Sequence, residues 1–230
     1  MHGNHTFKPQ VRLLQTPLFC GLDEASLARI ARHTKEVHFQ KGEVVFREGQ
    51  SFIGLFIIIA GQVKRYFSSS DGNEKVCDIL EQGDCCGEAA LFSGKPYGIS
   101  AEALCDAILL KVSSNGIFEE LLQNQNLAKK MMEVLASRTQ QMLEAVESLT
   151  LLSGSQRTVR YLLEQVKEIE GGGAQVSITL PTTKGVLASH LNLSPEYFSR
   201  LLMELQASGL IRVSGRRIDI PNIDRMRECI

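Results

Sequence analysis

Glu196, Ser199, Arg200 and Met203 follow one another at steps of three, one and three. In a helix that spacing places them on one face. A guanidinium so presented can donate in bidentate fashion to guanine O6/N7, and a carboxylate can accept from cytosine N4. This is the chemistry of reading base-pair edges in a major groove. The residues around the set supply the helix it needs. Ser194 is a capping residue and Pro195 suits a first helical position, while Phe198, Leu201, Leu202 and Leu205 form the opposite, apolar face. Gly209 ends the helix. Upstream, Thr183 caps a shorter helix with apolar Val186, Leu187 and Leu191, and Asn192-Leu193 makes the turn between the two.

A helical hairpin with a solvated outer face would explain these two helices equally well. The residues that follow shift the balance. Leu210–Val213, a turn at Ser214–Gly215 and Arg216–Ile220 read as a two-stranded wing with adjacent arginines at its tip, suited to phosphate contact. Two helices, a turn and a basic wing together point to binding of double-stranded DNA.

Charge distribution agrees. Residues 155–230 carry 10 Lys/Arg against 8 Asp/Glu, whereas residues 1–154 carry 15 against 18. The opening segment, with His2, Gly3, Asn4 and His5, is polar and unlike a secretory leader. The longest apolar run, around Leu55–Ala60, is far shorter than the ~18 residues of a membrane span. Six cysteines at no framework spacing suit reduced thiols. The expectation is a soluble cytoplasmic protein without membrane contact.

Three regions precede or include the wing. Residues 11–35 read as a short helical lead-in with Leu27 and Ile30 on one face. From about Val37 to Val112 the period becomes strand-like: Val44–Phe46, Phe52–Ile59, Gln62–Phe67, Val76–Leu80, Ser100–Ala103 and Ala107–Val112 are punctuated by turn signals at Lys41–Gly42, Glu48–Gly49, Ala60–Gly61, Asp71–Gly72 and Gly83–Asp84. Many short strands so spaced argue for a β sandwich or jelly roll. A long helix is then expected over Asn115–Leu152. Its Met132, Leu135, Thr139, Met142, Val146 and Leu149 are spaced 3, 4, 3, 4, 3, a seam for a parallel homodimer. Packing of this stripe on the chain's own barrel is the competing use. Ser153–Ser155 offers a hinge, Arg157–Ile169 another helix, Gly171–Gly173 a loop, and Val176–Leu180 a strand. The expected class is α+β: a jelly-roll sensing domain (1–113), a dimerisation helix and hinge (114–154) and a winged helix-turn-helix (155–230).

Jelly roll, long helix and winged helix-turn-helix in this order resemble the bacterial regulator superfamily that contains the cyclic-AMP receptor protein and the fumarate-and-nitrate-reduction regulator. The resemblance is carried by Lys41-Gly42-Glu43, Phe46-Arg47-Glu48-Gly49, Gly61-Gln62-Val63-Lys64, Gly83-Asp84, Gly87-Glu88-Ala89-Ala90-Leu91-Phe92 and the reading helix. Over Glu144–Leu163 the chain is most similar to the denitrification-type branch, which responds to nitric oxide and nitrosative stress. The resemblance implies a transcriptional regulator, allosterically controlled, with RNA polymerase as a further partner. It also implies an operator of inverted TTGA-type half-sites, close to TTGAT-N4-ATCAA, with Arg200 on the guanine, Glu196 on a cytosine of the complementary strand and Ser199 beside a thymine. Thr183, Lys184, Arg216 and Arg217 are expected on phosphates.

Departures from the family pattern bear on the effector. The nucleotide receptors place an arginine before the serine of the phosphate cassette; here Ile99 precedes Ser100, and no arginine occurs in Gly83–Ala103. Where those receptors offer Thr and Ser to adenine, this chain has Met142 and Leu143. Cyclic AMP is therefore not expected to bind, and Glu88 is expected to stabilise a turn rather than hold a ribose. The effector pocket is assigned to Gly87, Glu88, Ala89, Ile99, Ser100, Met142 and Leu143, its ligand being an unidentified small molecule or gas. No iron–sulfur cluster is expected, since only Cys20 precedes the barrel and Cys85 and Cys86 point to opposite faces of a strand. Cys77, Cys85, Cys86 and Cys105 are expected in the core. Haem is the alternative cofactor, with His33, His38, His2, His5 or a cysteine as axial ligand. No metal site or catalytic set is visible: there is no Ser/His/Asp order, metal-spaced cluster or phosphate loop. An adaptor that binds a ligand but not DNA would leave the reading helix and wing unexplained.

Overall fold

The computed structural model describes residues 9–167 and 176–229. His2, His5 and the Gly171–Gly173 loop lie outside them. The chain divides into two compact units, Met1–Gln140 and Gln141–Ile230, so the boundary falls within the long helix.

In the first unit, α1 (Pro9–Leu14) and α2 (Glu24–Arg32) lead into a jelly roll. Asp23 caps α2 by accepting from the Ser26 amide, and Leu27 and Ile30 are buried beneath it. The strands are β1 (Thr34–Phe39), β2 (Val44–Phe46), β3 (Leu55–Ala60), β4 (Val63–Ser68), β5 (Glu74–Leu80), β6 (Cys85–Cys86), β7 (Ser100–Ala103) and β8 (Ala107–Val112). They form two antiparallel sheets of order β1-β8-β3-β6 and β2-β7-β4-β5. The run Leu55–Ala60 is apolar throughout because both of its faces are covered. Leu55, Ile57 and Ile59 pack with the helices, while Phe56 and Ile58 pack between the sheets. Cys85 and Cys86 divide in the same way, as expected of strand neighbours. Cys77 and Cys105, by contrast, are only partly buried and are not core residues.

Three elements differ from the sequence reading. Strand β1 starts at Thr34, pairing with Val112, directly after the His33 cap of α2. A short helix, α3 (Glu88–Ser93), follows β6. The expected single helix over Asn115–Leu152 is two, α4 (Ser114–Leu121) and α5 (Gln125–Leu151). Asn124 causes the break: its side-chain oxygen accepts from the amides of Asn126 and Leu127 at 3.0 and 3.2 Å, capping α5. Gly116 in α4 lies so close to α2 that a Cβ would stand 2.4 Å from His33 Cβ.

Helices α2 and α4 are joined by a buried carboxylate. Glu120 is fully buried and accepts from Arg29 Nε at 2.7 Å and Nη2 at 3.1 Å. Burial alone would raise the Glu120 carboxyl, but the hydrogen bonds from Arg29 and Ser26 outweigh it and hold its pKa below the usual value. A depressed folded-state pKa contributes stability above the unfolded pKa and loses it as pH falls through the folded one. Urea denaturation should therefore show stability falling below about pH 4.3, the ordinary glutamate value. Glu120→Gln should flatten this acid limb; an unchanged limb would mean the pair is not responsible.

In the second unit α5 ends at Leu151 and α6 runs over Gly154–Lys167. The break is at Leu152–Ser153, one residue before the expected hinge. Ser153 Oγ accepts from the Gln156 amide at 3.2 Å and Gln156 returns the bond to the Ser153 amide at 3.0 Å, a reciprocal cap. Strand β9 (Val176–Thr179) pairs with β11 (Arg217–Ile220), which pairs with β10 (Arg212–Ser214). Between β9 and β10 lie α7 (Lys184–His190) and α8 (Pro195–Ala207), and α9 (Ile223–Arg227) closes the described chain. No helix among the described residues is long and apolar enough to cross a membrane.

Candidate nucleic-acid interface and effector pocket

Helix α7 begins at Thr183, whose hydroxyl accepts from the Val186 amide at 3.4 Å. Asn192 then turns the chain with φ +56°, the one non-glycine residue with positive φ among those described; asparagine tolerates this conformation better than most residues. Ser194 Oγ accepts from the Tyr197 amide at 3.1 Å and caps α8, with Pro195 in its first turn. Phe198, Leu201, Leu202 and Leu205 are buried. Their burial fixes the helix's rotation, leaving Glu196, Ser199, Arg200 and Met203 exposed. The four residues singled out by spacing therefore share one open face.

The guanidinium of Arg200 lies 5.0 Å from the centre of the Tyr197 ring, with its Nε 4.0 Å from Glu204. Its partner on the helix is thus Glu204, not Glu196. Sequence reading missed Tyr197, which sits beneath Arg200 and also against α6: a Cβ on Gly154 would stand 2.8 Å from Tyr197 Cε1 and 2.9 Å from Leu193 Cδ2. It missed Arg157 too. Arg157 Nη1 donates to the Leu152 carbonyl at 2.7 Å and Nε to the Leu191 carbonyl at 3.0 Å, lacing the start of α6 to the α7–α8 turn.

The wing is shifted by a residue from its expected register. The turn falls at Gly215-Arg216, with Gly215 at φ +62°. Its two arginines are consequently unlike. Arg216 donates through Nε and Nη2 to the Leu180 carbonyl at 3.0 and 2.6 Å, and through Nη2 to Pro181 at 2.6 Å. It anchors the wing to the end of β9. Arg217 is exposed and pairs with Asp219 at 2.9 Å. Lys184 is partly exposed at the start of α7.

In the barrel, Gly87 caps α3 with φ +99°, and a Cβ there would stand 3.1 Å from the Gly54 carbonyl and 3.2 Å from Tyr97. Ser100 Oγ accepts from the Glu48 amide at 3.0 Å. Tyr97 donates to the Gly54 carbonyl at 2.7 Å while its ring stacks on Phe46 at 3.9 Å. Ala89 is exposed and Ile99 half-buried; Met142 and Leu143 are exposed on α5.

Glu88 is not a turn stabiliser, as the sequence suggested. It is buried, and two arginines from outside the cassette meet it. Arg65 on β4 reaches Glu88 through Nη1 at 3.3 Å and grips Asp78 of β5 through Nε and Nη2 at 2.9 and 2.5 Å. Arg138 on α5 lies 3.4 Å from Asp78 and 3.6 Å from Glu88, and its Nη2 donates to the Cys85 carbonyl at 3.2 Å. Burial would lower the Arg65 pKa, but Asp78 and Glu88 raise it instead, so the guanidinium stays charged. A signal for this was present: Arg65 stands two residues after the buried Val63 on β4, a spacing that puts both on one face of the strand.

Of the candidate haem ligands, His33, His38 and the cysteines lie among the described residues. His33 caps α2 and lies 3.5 Å from Glu119, and His38 is largely exposed, 2.9 Å from Glu36. Burial pushes the Cys85 thiol up to about 12 and the Cys86 thiol well above its usual value, so neither supplies a ready thiolate. Among the described residues no group of three or more His, Cys, Asp or Glu is arranged to hold a metal ion.

Comparison with known proteins completes the picture. Residues 36–125 match the cyclic nucleotide-binding domain family and residues 156–229 the Crp-like helix-turn-helix domain family. The chain is 24% identical over 217 residues to the CRP-like cAMP-activated global transcriptional regulator of Mycobacterium tuberculosis, covering 93% of this chain and 96% of that one. It is 30% identical to DNR from Pseudomonas aeruginosa, over 97% of this chain and 99% of that one, with a TM-score of 0.50. The fold of FixK2 from Bradyrhizobium japonicum superimposes with a TM-score of 0.75 at 23% identity, covering 85% of this chain and 96% of that one. A barrel, a long helix and a winged helix-turn-helix, matched along nearly the whole chain by regulators, make this protein a member of the CRP/FNR superfamily of DNA-binding transcriptional regulators.

Proposed function

We propose that the protein is a homodimeric regulator that reads an inverted TTGA-type repeat and answers to an effector other than cyclic AMP. The observation that carries the reading is the open face of α8, where Glu196, Ser199 and Arg200 stand exposed on a helix whose other side is buried. In this assignment Arg200 donates to the guanine, Glu196 accepts from the opposing cytosine and Ser199 lies beside a thymine. Thr183, Lys184 and Arg217 hold phosphates and set register. Arg216, tied to carbonyls, shapes the wing and offers only its remaining donors to the backbone. Residues 1–113 sense the effector, 114–154 dimerise and 155–230 bind DNA, with RNA polymerase the partner that reads the outcome.

Three features support an effector other than a cyclic nucleotide. Ser100 is committed to the Glu48 amide, Ile99 replaces a cation, and Glu88 already faces two arginines. Selection from random duplex DNA tests the base assignment. A two-fold TTGA motif is expected, with binding that weakens steeply as salt rises; enrichment of an unrelated or asymmetric sequence would refute it. Calorimetry with cyclic AMP tests the effector reading, and low-micromolar affinity would overturn that part.

A further inference from the structure

Arg65, Arg138, Asp78 and Glu88 form a closed set of two guanidinium groups facing two carboxylates. Asp78 takes the central place, accepting two bonds from Arg65 and lying 3.4 Å from Arg138. The set joins β4, β5, α3 and α5. All four side chains are at least three-quarters buried. Paired guanidinium groups at the mouth of a bidentate fork are what a carboxylate or phosphate requires. Here the fork is already filled by the chain itself.

We propose that Asp78 sets the specificity of this part of the barrel: it occupies, from within the chain, the cradle that Arg65 and Arg138 would offer an anionic ligand, and so keeps anions out of that cradle. This rests on the reading that the effector is not a cyclic nucleotide, and it extends that reading from the missing cassette arginine to a residue that actively excludes. An incoming anion would have to displace a carboxylate held by bidentate bonds and tethered to the strand next to Arg65. Tethering makes the competition intramolecular, which favours Asp78 over a free anion. A second feature bears on which anion fits once Asp78 is gone. Glu88 Oε2 is buried with no hydrogen-bond partner among the described residues. A protonated oxyanion would bring acceptors for both guanidinium groups and a hydroxyl donor for this oxygen.

The test uses the full chain with Asp78→Ser, which opens space, and Asp78→Asn, which keeps the volume and removes the charge. Inorganic phosphate, and formate as a smaller anion, are titrated against chloride at constant ionic strength, followed by calorimetry and by the thermal midpoint. At least one variant should bind phosphate or formate saturably and at least tenfold more tightly than wild type. Adding Arg65→Gln to that variant should abolish the gain. The proposal is overturned if the variants and wild type respond alike, or if the gain survives Arg65→Gln. It is also overturned if both variants stay unfolded at every concentration of either anion, because an anion that replaces the carboxylate must rescue the fold. Failure of the underlying reading looks different: wild type would bind cyclic AMP at low micromolar concentration with no effect of Arg65→Gln, while the Asp78 variants would still gain anion binding.

Discussion

Met142→Glu combined with Val146→Glu should convert the protein to monomers in sedimentation and weaken operator binding by on the order of 1,000-fold or more. Helix α5 has two apolar faces, and one of them packs in the core of the first unit. Leu127 and Met131 are buried and Val134 packs against the same core, so this face belongs to the barrel. Met132, Met142, Val146 and Leu149 are 61, 70, 63 and 44% exposed. Four of the six residues of the 3, 4, 3, 4, 3 seam are thus open to solvent. An exposed apolar stripe of this length calls for a partner, and a parallel copy presents the matching one. Each of these side chains is worth roughly 1.5 kcal/mol or more when buried, and the double variant removes four of them per dimer while placing like charges face to face. The substituted positions are exposed in the single chain, so circular dichroism and the thermal midpoint of the monomer should change little. A helix-turn-helix protein needs two heads about 34 Å apart to read both half-sites, and a monomer reads one. Sedimentation as an intact dimer would place the interface elsewhere.

What could be read directly from the letters was local chemistry. Strands β2, β7 and β8 begin and end where their β-rich sequence says, and the Ser194-Pro195 cap and Asn192 turn behave as their side chains dictate. Errors came where one residue has two competing local uses. Asn124 passes for a helix interior in a polar-apolar pattern, yet its side chain bonds to the amides two and three residues on and starts a new helix. In the wing, Ser214-Gly215 and Gly215-Arg216 are equally plausible turns. Pairing of Ser214 with Arg217 decides between them, and with that choice Arg216 becomes an anchor instead of a tip. The quartet around Glu88 was illegible for another reason. Its members lie 13, 23 and 60 residues apart along the chain and meet only through the pairing of β4 with β5 and the approach of α5. A family pattern that places the cation inside the cassette directs attention to Ile99 and away from Arg65.

The arginines of the DNA-binding unit should separate by mutation according to what each one touches. Arg200→Ala is expected to cost roughly 1–3 kcal/mol of operator binding and to relax preference at the guanine alone. The contacts Arg200 makes in the free protein do not compete seriously with a base. Its approach to Glu204 is an exposed helix pair at 4.0 Å, worth a few tenths of a kcal/mol, and an exposed cation over an aromatic ring such as Tyr197 adds about 0.5–1 kcal/mol. A bidentate bond to guanine exceeds either, and Tyr197 beneath the guanidinium limits the conformations it loses on binding. Arg217→Ala should instead weaken all sequences alike and reduce the slope of log affinity against log salt by about one. Its Asp219 pair is exposed and easily exchanged for a phosphate. Arg216→Ala should differ from both, lowering the thermal midpoint of the unit, because the Leu180 and Pro181 carbonyls lose the donors that hold the wing to β9. Affinities measured for matched and guanine-substituted operators over a salt series separate the three outcomes. If Arg200→Ala loses affinity equally for both operators, Arg200 holds a phosphate and the base assignment on α8 is wrong.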